Sequence, residues 1–229
     1  VLVTKRLVGD RWLDVLAEAG CRVDILEDND GRPLTAGQLR SALSRRPYAA
    51  AIGHLNEPWN AELLGVAAEQ GLRAFSTYAV GFDNLDLAAA SRLGILVGNT
   101  PGVLTEATAE LAVALTFAAA RRVVEMDRFT RQGRFVGWHP SLGVGRLLDG
   151  LTVGVVGAGR IGSSYAEKMA GVGCSILYVK ETGAHPQLEE YVNALGTFFM
   201  RRGRKAVTCR RAESLEACLR ESDVVSLHV

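Results

Sequence analysis

Short apolar runs rich in β-branched residues alternate, through the N-terminal part of the chain, with stretches whose apolar positions recur every three to four residues. The runs at 1–4, 22–26, 49–53, 73–76 and 95–98 read as buried strands, and the patterns between them at 11–19, 35–43, 58–70 and 86–93 read as helices. Thr35 and Gln38 have capping-box spacing, in which two side chains satisfy amides left free at a helix start. Gly20, Gly71 and Gly94 fall just past helix ends, where a left-handed residue closes the last turn. Strand–helix alternation of this kind predicts a parallel sheet flanked by helices.

One long helix is predicted over 105–132, apolar in its first half and charged in its second. Positions 133–150 are rich in Gly, Trp, Pro and Ser without a sustained period, which marks a linker at a domain boundary. A second α/β unit opens at Leu151 with a strand at 152–156. A helix follows at 160–170, with Ile161, Tyr165 and Met169 along one face, then a strand at 174–179. Ser214 starts a short helix with Leu215, Cys218 and Leu219 inward, and Asp223 leads into a terminal strand. The expected plan is a domain over 1–104, a connecting helix and linker over 105–150, and an incomplete second domain over 151–229. Both termini lie inside strand patterns, so the chain is expected to be part of a longer one, with any targeting signal out of view.

Apolar residues make up 48% and charged residues 22% of the chain, ordinary for a soluble globular protein. The net charge of +1 provides no global field for nucleic acid or an anionic membrane. The most apolar stretch, 111–120, is well short of the roughly 20 residues of a membrane span. Cys21, Cys174, Cys209 and Cys218 form no CxxC pair and read as reduced thiols of an intracellular protein. His54, His139, His185 and His228 have no metal-ligand spacing, so no metal site is expected; His54 follows a parallel strand, at the end where ligands gather. The basic run Arg201-Arg202-Gly203-Arg204-Lys205 reads as a solvated loop, without the aromatics or motif of a nucleic-acid site.

Between strand 152–156 and helix 160–170 stands Gly157-Ala158-Gly159-Arg160-Ile161-Gly162, a GxGxxG in the strand–turn–helix context that gives the motif meaning. Gly157 permits a tight turn, Gly159 lets a diphosphate approach the backbone, and Gly162 lets the helix pack on the strand with free amides at its head. The ribose-binding acid is expected about 20 residues after the loop. There the sequence reads Lys180-Glu181, a cation suited to a 2′-phosphate beside a carboxylate suited to ribose hydroxyls. The dinucleotide can therefore be NAD or NADP.

With Ala79-Val80-Gly81-Phe82-Asp83-Asn84-Leu85-Asp86, Gly98-Asn99-Thr100-Pro101-Gly102-Val103, Thr105-Glu106-Ala107-Thr108-Ala109-Glu110-Leu111, Gly137-Trp138, Leu148-Asp149-Gly150 and Leu227-His228-Val229, the chain resembles the D-2-hydroxyacid dehydrogenases over nearly its whole length. The segment 181–212 resembles their plant and algal hydroxypyruvate reductase (glycerate dehydrogenase) branch. The resemblance implies a flavodoxin-like substrate domain followed by the first half of a Rossmann domain, both α/β. It implies reduction of hydroxypyruvate, and glyoxylate, by NADH or NADPH in the peroxisome or cytosol. Val80 and Gly81 match the loop whose amides hold the substrate carboxylate, Thr108 a residue near the nicotinamide, and Arg160 and Ile161 residues whose backbone meets the diphosphate. The region 105–132 matches a homodimerisation element. The family's catalytic Arg, Glu and His have no counterpart here and are expected beyond Val229, so the chain alone is expected to be inactive. A dinucleotide-sensing regulator and a formate dehydrogenase of the same fold are the alternative readings.

Overall fold

The structure, a computed structural model, describes residues 1–26 and 31–229 and divides into two compact units, Val1–Val103 and Leu104–Val229. In the first, β1 (Leu2–Val3), α1 (Arg11–Glu18), β2 (Asp24–Ile25), α2 (Ala36–Leu43), β3 (Ala50–Gly53), α3 (Ala61–Glu69), β4 (Ala74–Thr77), α4 (Leu87–Arg92) and β5 (Leu96–Gly98) alternate along the chain. All strand pairs are parallel, in the order β2-β1-β3-β4-β5, which is the flavodoxin-like arrangement. Leu2, Leu39, Leu43, Leu63, Leu64, Leu72 and Phe75 fill its core around a fully buried Trp59, whose ring lies 4.5 Å from that of Phe75. The Thr35–Gln38 capping box is formed, and Gly20, Gly71 and Gly94 have φ of +70°, +99° and +68°.

The second unit contains α5 (Thr105–Ala120), α6 (Val123–Arg131), β6 (Thr152–Val156), α7 (Arg160–Val172), β7 (Ser175–Val179), α8 (Pro186–Arg201), β8 (Cys209–Arg211), α9 (Leu215–Glu221) and β9 (Val224–Leu227). Its parallel sheet runs β8-β7-β6-β9. Counted from β6, this is 3-2-1-4, the first four strands of the Rossmann order, and the chain reverses direction across the sheet between β6 and β9. Tyr165, Met169, Val153, Val155, Ile176 and Tyr178 form the buried centre, and Ala109 of α5 joins it. Among the described residues no helix is long and apolar enough to cross a membrane.

Four expectations need correction. The single helix over 105–132 is two, broken at Arg122, whose φ of 55° is the one positive value at a non-glycine among the described residues. The cause is a competing strand of chain: the Arg146 amide donates to the Ala120 carbonyl at 2.7 Å, replacing the bond the next helical turn would make. Gly145 makes this approach possible, since a Cβ there would lie 2.5 Å from the Ala120 oxygen. Segment 181–212 holds a helix that went unread, α8, with Leu188, Val192 and Phe199 buried at helical spacing. Its signal was present in His185-Pro186, since Pro186 opens the helix and the His185 ring accepts the Leu188 amide at 3.3 Å. On α9 only Cys218 is buried, while Leu215 and Leu219 are 43% and 49% exposed. At about 100° per residue those two leucines share a stripe roughly 60–100° away from Cys218. Finally, Arg204 is pinned rather than loosely solvated: it pairs with Asp149 at 3.0 Å and stacks over Phe199 at 4.0 Å.

Gly145→Ala is expected to destabilise the second unit by about 1–3 kcal/mol, because the new methyl meets backbone that cannot swing aside. Urea unfolding followed by circular dichroism checks this; an unchanged midpoint would mean that the segment does not press on the end of α5.

Candidate active site

The turn that leaves β6 is held by its neighbours on both sides. Gly157 and Ala158 donate their amides to the Val179 carbonyl at the end of β7, at 3.0 and 3.2 Å, and Gly159 donates to the Gly157 carbonyl at 2.8 Å. Gly157 has φ +94°, and a Cβ on it would come within 2.4 Å of the His228 carbonyl just after β9. A Cβ on Gly162 would lie 2.2 Å from the Gly157 oxygen and 3.2 Å from Val155 Cγ1, so the helix rests directly on its own loop and strand. Gly159 is different: it is exposed, its φ is −83°, and a Cβ there would meet nothing within 4 Å.

The free amides are therefore fewer than the sequence promised. Those of Gly157, Ala158 and Gly159 are committed to the protein, while those of Arg160, Ile161 and Gly162 have no partner among the described residues. These three head the 13-residue helix α7, where backbone N–H groups and the helix dipole favour an anion. The loop sits at the reversal between β6 and β9, the position at which open α/β sheets bind ligands. Open space at Gly159 beside unpaired amides fits a dinucleotide diphosphate.

Lys180 is the first residue after β7 and is half-buried; Glu181 follows it and is exposed. Arg211, which the sequence reading passed over, donates to the Lys180 carbonyl at 3.0 Å. Thr108 is exposed in the first turns of α5, its amide bonded to the Leu104 carbonyl at 2.9 Å. Helix α5 is tied to the loop-bearing helix α7: Ser164 Oγ lies 3.0 Å from both carboxylate oxygens of Glu106, and Thr116 Oγ1 2.9 Å from the Tyr165 hydroxyl. The Lys168 ammonium, with Ser164, holds the Glu106 carboxyl below the usual range, and burial raises the Tyr165 hydroxyl. Behind the loop, Ser163 Oγ meets His185 Nε2 at 3.0 Å. Thr108, Gly157, Gly159, Arg160, Ile161, Gly162, Lys180 and Glu181 all belong to the second unit. Cys174 and Cys209 are buried, which pushes their thiols up to about 11 and about 12, outside the range of a reactive thiolate.

Val80 and Gly81 belong to the first unit, in the loop after β4. The Asn99 amide donates to the Val80 carbonyl at 2.9 Å, and Thr100 donates to the Ala79 carbonyl at 2.9 Å. Neither the Val80 nor the Gly81 amide has a partner among the described residues. A Cβ on Gly81 would make only ordinary contact, 3.5 Å from Leu55, so the fold itself does not demand glycine there. At the neighbouring reversal between β1 and β3, a cavity of about 230 Å³ is lined by Lys5, His54, Asn56, Glu57 and Tyr78, among others. His54 is anchored by its own amide, which donates to the buried Glu57 carboxylate at 3.0 Å; Trp59 Nε1 donates to the same oxygen at 3.0 Å. Among the described residues no three His, Cys, Asp or Glu side chains group closely enough to hold a metal.

Known proteins share this arrangement. The profile of the D-isomer specific 2-hydroxyacid dehydrogenase catalytic domain matches residues 1–226. Over 229 residues the chain is 46% identical to a glycerate dehydrogenase of Cucumis sativus, with all of the chain matched to 59% of that protein. A glyoxylate reductase of Korarchaeum cryptofilum is 43% identical over 181 residues, 79% of the chain and 49% of the relative. The crystal structure of a D-lactate dehydrogenase from Aquifex aeolicus, complexed with NAD and lactic acid, superposes with a TM-score of 0.75 at 25% identity, covering 100% of this chain and 60% of that one. The chain thus spans about half to three fifths of the length of these relatives.

The site makes one pH prediction. His228 stacks beside Tyr165, with ring centroids 5.0 Å apart, and its Nε2 meets Ser226 Oγ at 2.9 Å; burial holds its pKa below the ordinary 6.5. The unfolded chain therefore binds the proton first, so the contribution to stability is complete above pH 6.5 and is lost as pH falls from there through the folded value. Urea midpoints measured down this range should fall for the parent chain and fall less steeply for His228→Gln. Parallel curves would remove His228 as the cause.

Proposed function

The chain belongs to the D-isomer specific 2-hydroxyacid dehydrogenase family, and on that premise we propose that it forms the dinucleotide-holding and carboxylate-holding part of an NAD(P)-dependent reductase of small 2-oxoacids. The observation that carries this reading is the set of unpaired amides at Arg160, Ile161 and Gly162 beside the open flank of Gly159. The Arg160 and Ile161 amides receive the diphosphate, Gly157 and Gly162 keep the turn tight enough to aim them, and Gly159 leaves the approach clear. Lys180 and Glu181 meet the adenosine ribose, and Thr108 lies toward the nicotinamide end. In the first unit the unpaired amides of Val80 and Gly81 take the substrate carboxylate. The substrate is hydroxypyruvate, reduced to D-glycerate, with glyoxylate, reduced to glycolate, as a second; the names of the Cucumis and Korarchaeum relatives support both.

The dinucleotide supplies the hydride. A proton must reach the carbonyl oxygen as the hydride arrives, and the Arg, His and Glu that do this in the family have no counterpart in these 229 residues. The chain alone therefore binds cofactor without turnover. The face of α5 turned away from α7 carries Leu111 and Leu115, 59% and 60% exposed, followed by exposed Val123 and Val124 on α6. This apolar stripe is the homodimer contact.

Calorimetric titration with NADH tests the site. The parent chain should bind, and Gly159→Ala should bind roughly tenfold or more weakly at an unchanged melting temperature, because its methyl enters only the space reserved for the diphosphate. Equal affinity would move the diphosphate elsewhere. Absorbance at 340 nm should show no hydroxypyruvate-dependent loss of NADH or NADPH at ordinary enzymatic rates; such a loss would mean that an acid within these residues completes the reaction. Light scattering should report a dimer that Leu111→Glu with Leu115→Glu converts to monomer, and a dimer that survives both changes would exclude this face.

A further inference from the structure

We propose that the adenosine end of this site is built for a 2′-phosphorylated dinucleotide, NADP(H), with Lys180 and Arg211 as the pair that binds the phosphomonoester; the inference rests on the dinucleotide reading above and sharpens it. The backbone around Lys180 is held on two sides. The Val179 carbonyl immediately before it takes the amides of Gly157 and Ala158, and its own carbonyl takes Arg211 Nη2 at 3.0 Å. In the parallel register Val156 faces Val179 and Tyr178 faces Arg211, so Lys180 emerges between the glycine loop and the end of β8, the neighbouring strand. Arg211 reaches past that register to the Lys180 carbonyl, which sets its guanidinium beside the backbone that carries the Lys180 ammonium.

Their hydrogen-bonding capacity is unspent. Three other cations of this unit, by contrast, are engaged in ion pairs, Lys168 with Glu106, Arg210 with Glu221 and Arg204 with Asp149. The Lys180 ammonium has no partner among the described residues, and Arg211 uses a single donor, on the Lys180 carbonyl. A phosphomonoester carries about −1.5 to −2 charges near neutral pH and three acceptor oxygens, matching an ammonium with three donors and a guanidinium with several to spare. For NAD(H) the same residue is a poor fit. A ribose 2′-hydroxyl is held by a carboxylate acceptor, and an ammonium accepts nothing. Glu181 is the carboxylate that opposes the assignment. It is exposed, so water and salt screen its repulsion more than they screen the half-buried Lys180.

Binding of cofactor fragments to the full chain tests this without reference to turnover. By calorimetry, 2′,5′-ADP should bind roughly tenfold or more tightly than 5′-ADP, the margin expected of charge-assisted hydrogen bonds at one site, and added salt should erode that margin. Lys180→Asp should abolish or reverse the preference, and Arg211→Gln should reduce it, with circular dichroism melts confirming that both variants fold. Equal affinities for the two fragments, or a preference for 5′-ADP, would overturn the NADP(H) assignment while leaving the dinucleotide site standing. A preference that survives Lys180→Asp would overturn the role of Lys180. Binding of neither fragment would bring down the dinucleotide reading itself, and this inference with it.

Discussion

A three-residue turn has to leave β6 between the carbonyl of Val179 on one side and the carbonyl of His228 on the other. No side chain fits at Gly157, where the backbone is left-handed and the His228 oxygen already occupies the place of a Cβ. The same squeeze turns the amides of Gly157 and Ala158 inward, onto the Val179 carbonyl. The amides of Arg160, Ile161 and Gly162 stay unpaired for a different reason: they form the first turn of α7, where no carbonyl lies one helical turn behind to accept them.

The helix that follows is held by more than apolar burial. Glu106, Ser164 and Lys168 join α5 to α7 at one end, and Thr116 meets the buried Tyr165 hydroxyl further along. Ser164 and Tyr165 are buried, and buried polar groups are costly unless paired, so their contacts select one register of α5 on α7 rather than merely adding adhesion. The register matters because α7 carries the loop at its head. A helix free to slide would take Arg160 and Ile161 with it.

Much of this was legible in the residues. Alternating short strands and amphipathic helices announced two parallel sheets, and the spacing of Gly157, Gly159 and Gly162 announced the turn. The errors have physical causes. Nothing in the run around Arg121-Arg122 marks a stop, because the break is imposed by residues 143–146 returning from a distance and claiming the Ala120 carbonyl. Helix α8 did have a signal, in Pro186 and the 188, 192, 199 spacing, but the surrounding charges and glycines masked it. Arg211 was invisible for another reason: its neighbour in space, Lys180, is 31 positions away in sequence, and only the β7–β8 register joins them.

Strand β8 lies at the margin of its sheet, spans only three residues, and carries Arg210 and Arg211 side by side. A margin of this kind offers unpaired backbone groups to any extended peptide that drifts past, which is how native chains begin to template fibrils. Two guanidinium groups on so short a strand discourage such a visitor by charge and by bulk. Arg211 therefore answers to two demands at once, and a change there that spared ligand recognition would still leave the molecule more prone to coalesce with its own kind in a crowded cell.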